Sequence, residues 1–133
     1  TAAFNREKSY MNKLPVIDTQ ILLELKDMAG DDASEIIAEL IDSYLEEAPA
    51  KIQEIYRALD KDNAEELRNY AHALKSLSVT IGAVLLAQVS SQLELIGRSV
   101  TTSNASSLLE TLYTEYQRVK IALQQYYPTR RPS

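Results

Sequence analysis

Leu67-Arg68-Asn69-Tyr70-Ala71-His72-Ala73-Leu74-Lys75-Ser76-Leu77-Ser78-Val79-Thr80-Ile81-Gly82-Ala83 is the stretch that decides the fold. Leu67, Ala71, Leu74, Ser78 and Ile81 recur at steps of three and four, the period of one helix face. At about 100° per residue, with Leu67 as origin, all five point within about 40° of one direction. The same arithmetic puts His72 at about 140°, Arg68 at about 100°, Lys75 at about 80°, Val79 at about 120° and Ser76 at about 180°. The segment therefore reads as an amphipathic helix whose outer face carries the chain's only histidine. Gly82 permits a tight turn at its end.

Periodic segments flank it on both sides. Asp18 is an N-cap for a short first helix bearing Ile21, Leu22, Leu25 and Met28, stopped at Gly30. Asp32-Ala33-Ser34-Glu35 has capping-box spacing and opens a long helix with Ile37, Ile41, Tyr44, Ala48, Ile52, Ile55 and Leu59 on its stripe. Pro49 lies inside that stripe without breaking its phase, so a kink is predicted and not an end. Asp62 or Asn63 caps the histidine helix. After Gly82 comes a helix with Val84, Leu85, Val89, Leu93 and Ile96, then a turn over 97–104. The last helix carries Leu108, Leu109, Leu112, Tyr116, Val119 and Leu123 and ends before Pro128.

Three Gly and four Pro in 133 residues are too few for the turns of a β-rich fold. The prediction is all-α: an up-and-down antiparallel four-helix bundle with a short additional N-terminal helix. Residues 1–17 read as an arm or linker, 18–127 as the bundle and 128–133 as a loose tail. No Cys is present, which excludes disulfides, thiolate metal sites and cysteine nucleophiles. The net charge of −5 argues against nucleic acid. No apolar run approaches the roughly 18 residues of a membrane span, and no signal peptide is visible. The absence of a glycine-rich phosphate cradle argues against ATP binding by a P-loop or kinase-type loop.

An imidazole on an outer helix face has a chemical use, because its ring nitrogen is nucleophilic at neutral pH and can carry a phosphoryl group. A phosphoramidate there needs positive charge and open approach. Lys75 at i+3 and Arg68 at i−4 supply charge. Ser76 at i+4 is small and leaves room for a second protein. Val79, with the adjoining edge of the second helix, offers an apolar docking surface, and Asn69 is assigned to the same face. Both ring nitrogens are expected to face water or an incoming protein.

The run Ala71-His72-Ala73-Leu74-Lys75-Ser76, with Ile81-Gly82-Ala83 and Leu93-Glu94 further on, resembles the signature of histidine-containing phosphotransfer (HPt) domains. Leu40 to Pro49 and Asp62 to Leu67 are similar to the segments that precede the histidine in that family. The resemblance runs from about residue 15 to about residue 97. Ser76 stands where the family usually has glycine, and Leu77 where it has a small residue. Leu77 falls on the flank of the core stripe and is expected to leave the ring open.

The resemblance implies a relay: a receiver-domain aspartyl phosphate donates to His72, which passes the group to another receiver. It implies His72 as phosphoacceptor and Lys75 as the phosphate-stabilising cation; Arg68 rests on helix geometry. It implies no cofactor on this chain, with Mg²⁺ on the partner receiver, and no kinase activity of its own. The implied partners are response-regulator receiver domains, in a cytoplasmic setting. The missing initiator Met and the arm ending at Pro15 suggest a processed chain or a module of a hybrid sensor kinase. A monomer is expected, since the apolar stripes can all be buried internally. Two other readings share the helical fold: the phosphoacceptor domain of a chemotaxis-type kinase, and a non-catalytic interaction module. The adjacent pairs Glu46-Glu47 and Glu65-Glu66 point about 100° apart and read as solvated faces, not metal ligands. Ser76, Ser78 and Ser90-Ser91 lack a glycine elbow and are rejected as hydrolase nucleophiles. The tyrosines of the last helix, Tyr113, Tyr116, Tyr126 and Tyr127, are expected at the bundle edge.

Overall fold

Five helices account for the periodic segments in a computed structural model that describes residues 16–99, 102 and 105–126, with Tyr126 described by its backbone alone. They are α1 (Thr19–Ala29), α2 (Ala33–Asp60), α3 (Ala64–Ile81), α4 (Val84–Gly97) and α5 (Ser106–Tyr126). The expected tail, together with Tyr127 and residues 1–15 of the expected arm, lies outside the described residues. Val16 and Ile17 pack against the core.

Local chemistry explains most boundaries. The Asp18 carboxylate accepts the Gln20 amide at 3.0 Å, and the Asn63 side chain accepts the Glu66 amide at 3.0 Å. α3 ends at Gly82 in the left-handed region (φ 82°), where the amide of Ala83 reaches the Ser78 carbonyl at 2.8 Å. α2 runs unbroken through Pro49.

The capping box at Asp32 does not form. A 3₁₀ turn over Gly30–Asp32 leads directly into α2, and Asp32 makes no side-chain cap bond. Its backbone (φ −90°, ψ 5°) is not the extended shape an N-cap needs, because it is held in the 3₁₀ turn that the Ala33 amide closes on the Gly30 carbonyl. Met28 is also displaced from its expected role: it is exposed, and Leu22 is the α1 residue that enters the core.

α2, α3, α4 and α5 form a ring in which each packs on the next and α5 returns to α2. The two- and three-residue connections at 82–83 and 61–63 make successive helices antiparallel neighbours. α1 lies mainly on α2, tied to the α3–α4 turn by the Asp18 amide, which donates to the Gly82 carbonyl at 2.7 Å. All five stripe residues of α3 are buried. Ser78 is the polar one, and its hydroxyl meets the Tyr44 hydroxyl at 3.2 Å inside the bundle. Tyr116 is buried too, its ring centroid 6.4 Å from that of Tyr44. It is therefore a core residue and not one of the bundle edge, because its position on the α5 stripe outweighs its hydroxyl.

Gly97 closes α4 and is not part of the predicted turn; it is buried against α3. A Cβ there would stand 2.6 Å from the Arg68 amide nitrogen and 2.8 Å from its Cα. Glycine is required because backbone, which cannot move aside, occupies the space. Gly97→Ala should therefore destabilise the fold by roughly 1–3 kcal/mol, read as a lower urea midpoint. An unchanged midpoint would contradict the close approach.

Candidate functional site

The close approach at Gly97 sets the antiparallel register of α3 and α4. One turn along each helix from the Gly97–Arg68 contact stand Glu94 and His72. The His72 Nδ1 lies 2.9 Å from the Glu94 Oε1. The Lys75 ammonium donates to Glu94 Oε2 at 2.7 Å, and the Arg98 guanidinium donates to Oε1 at 3.3 Å. The Glu94 side chain is 6% exposed and that of His72 is 60% exposed. A buried carboxylate thus supports a solvent-facing imidazole from beneath.

Both ring nitrogens were expected to face outward, and the structure corrects this. Nδ1 is engaged, and among the described residues Nε2 makes no hydrogen bond. A carboxylate beside Nδ1 favours the tautomer with its proton there and the lone pair on Nε2. The Lys75 hydrogen bond is the largest influence on Glu94, opposed by burial and reinforced by the bonds from His72 and Arg98. Together they hold its carboxyl down at about 2.

The other candidates divide between two sides of α3. Ser76 is exposed and lines a groove against α2, with Ser43, Glu47 and Lys51 opposite. Val79 is 55% exposed but borders α1 and α4, where Ile21, Val84 and Ala87 form an apolar hollow beside Lys75. The predicted pairing of Val79 with α2 is therefore wrong, since about 120° of rotation carries it to the α4 side of the helix axis. Leu77 packs on the core flank as predicted. Asn69 is exposed on α3.

Arg68 makes no ion pair among the described residues; its backbone serves the Gly97 contact. The second cation of the cluster is Arg98, which sequence reasoning missed, and Glu94 was noticed only as part of a motif. A usable signal existed: Glu94 and Arg98 stand at i,i+4 on one helix face, with Glu94 on the edge of an apolar stripe. Ser78 and Ser90 are buried with their hydroxyls engaged, Ser90 on the Leu86 carbonyl at 2.8 Å. Among the described residues no group of His, Asp and Glu could hold a metal ion. No described helix is long and apolar enough to cross a membrane.

This arrangement of helices is that of helical phosphotransfer proteins. It is similar to the crystal structure of histidine-containing phosphotransfer protein B from Pseudomonas aeruginosa PAO1, with a TM-score of 0.77 and 28% identity over 86% of this chain and 96% of that one. It also shares its fold with the Saccharomyces cerevisiae histidine phosphotransfer signalling protein Ypd1, whose structure was solved with the receiver domain of its downstream response regulator Ssk1. That match has a TM-score of 0.76 at 24% identity, over 86% of this chain and 96% of that one. Comparison with curated protein sequences gave no match. The sequence profile of the Hpt domain matches residues 39–125. The chain belongs to the Hpt domain family, the histidine phosphotransfer domains of phosphorelays.

The low Glu94 value gives a signed prediction. A carboxyl depressed on folding contributes stability above its ordinary value of 4.5, and that contribution is lost as pH falls toward about 2. Glu94→Gln should flatten the fall in thermal midpoint over that window relative to wild type. Other carboxylates, such as Asp62 held low by its Thr102 bonds, are common to both proteins and cancel. Parallel profiles would contradict the assignment.

Proposed function

We propose that His72 is the phosphoacceptor, that its Nε2 is the attacking atom and that a receiver-domain aspartyl phosphate is the donor. The observation that carries this reading is the 2.9 Å contact between His72 Nδ1 and the buried Glu94 carboxylate. It fixes the ring, keeps the proton on Nδ1 and aims the Nε2 lone pair outward. As the Nε2–P bond forms, the bond from phosphorus to the aspartyl oxygen breaks, and its electron pair stays with the aspartate. The ring becomes an imidazolium, and Glu94 stabilises the new charge without any proton moving.

Lys75 supplies the cation for the phosphoryl oxygens, and the receiver brings the Mg²⁺. Phosphoryl transfer is mainly positioning and charge stabilisation, which a rigid helix provides. Onward transfer to a second receiver is the same step in reverse geometry. Ser76 and Asn69 on the outer face of α3, with Val79 toward α1, form the docking surface in this reading. The proposed unit is residues 18–127, with Val16 and Ile17 packed on its core, acting as a monomer in the cytoplasm beside its receivers, with an N-terminal arm before it and 128–133 as its tail.

Incubation with a phosphorylated receiver should place acid-labile, alkali-stable label on wild type and none on His72→Gln. Lys75→Ala should slow uptake about tenfold, the rate equivalent of losing ~1.4 kcal/mol from one charge-assisted hydrogen bond. No label on wild type, or undiminished label on His72→Gln, would overturn the reading.

A further inference from the structure

Glu94 carries one negative charge and meets two permanent cations. One cation suffices to keep a hydrogen-bonded carboxylate ionised, so the second needs an account. With a neutral imidazole, the side chains of His72, Lys75, Glu94 and Arg98 carry a surplus of one positive charge, in a chain whose net charge is −5. A phosphoryl group brings about two negative charges at neutral pH. Transfer to Nε2 also makes the ring cationic. The cluster then comes to about zero, so its surplus matches the group it is to receive.

The two cations are not placed alike. Lys75 stands on the histidine's own helix at i+3 and binds Oε2, the oxygen the ring does not use. Arg98 is the C-cap residue just past α4, one turn beyond Glu94, and shares Oε1 with His72 Nδ1. Nδ1 and Nε2 lie on different edges of the imidazole, and Arg98 bonds the carboxylate oxygen that holds the Nδ1 edge. Its hold on Glu94 is an i,i+4 contact between the end of α4 and its C-cap and does not run through α3.

Building on the phosphoacceptor reading above, we propose that Arg98 is a positioning residue that keeps Glu94 ionised and seated on Nδ1 once Lys75 has been drawn to the phosphoryl group. Lys75 serves the carboxylate before transfer and the phosphoryl oxygens after it. Arg98 serves the carboxylate throughout. Without Arg98, the resting protein keeps its tautomer through Lys75, and the phosphorylated protein loses its grip on the Nδ1 proton.

The test compares two protein states at one fixed neutral pH. The ¹⁵N shift of His72 Nδ1, which reports whether that nitrogen holds a proton, is measured before and after phosphorylation in wild type, Arg98→Gln and Arg98→Lys. Arg98→Gln should match wild type in the free protein and move toward the unprotonated value only in the phosphorylated one. Arg98→Lys should restore the wild-type shift. A Gln variant that moves equally in both states, or in neither, overturns this inference. A wild-type His72 that takes no label overturns the phosphoacceptor reading instead, so the two failures are distinguishable.

Discussion

The backbone contact between α3 and α4 is the constraint on which the rest depends. Gly82, in the left-handed region, reverses the chain within two residues, and a Cβ at that position would stand 2.8 Å from the Asp18 carbonyl oxygen. Gly97, at the far end of α4, lets the helix rest on the Arg68 backbone. With both ends fixed, the register between the helices has no freedom left. Glu94 is then delivered to His72, and its second oxygen to Lys75. A shift of one residue on α4 would turn Glu94 by about 100° away from the ring.

That delivery converts an ordinary surface histidine into a directional one. A freely rotating imidazole would share its proton between two nitrogens and present either to a partner. Here a carboxylate that is almost entirely buried holds one nitrogen and leaves the ring itself in the open. Burial of Glu94 would be costly if it stood alone, and its three partners offset that cost. Stability and function are joined at this residue. The same hydrogen bonds that tie α4 to α3 also occupy one ring nitrogen of His72 and leave the other open.

Much of this was legible in the sequence, for reasons that can be named. The α3 stripe, the cap at Asp18 and the stop at Gly82 are local, so period and turn chemistry suffice to find them, and they narrow the α3 cap to Asp62 or Asn63, of which the structure uses Asn63. The exposure of His72 followed from the same helical arithmetic. The partner of its ring did not, because Glu94 is 22 residues away and its meeting with His72 depends on tertiary register. Arg68 was named and Arg98 missed for the same reason: one-helix reasoning sees i−4 and cannot see across to the next helix. Met28 and Asp32 failed differently, since apolar type and capping spacing are weak against the geometry that tertiary packing imposes.

The central claim is that Glu94 reserves Nδ1 and leaves Nε2 to take the phosphoryl group. The most direct measurement is a ¹H–¹⁵N correlation of the imidazole in phosphorylated protein, with ³¹P coupling used to identify the nitrogen bonded to phosphorus. The account predicts coupling at Nε2, with Nδ1 still bearing its proton. Phosphorus on Nδ1 would contradict it.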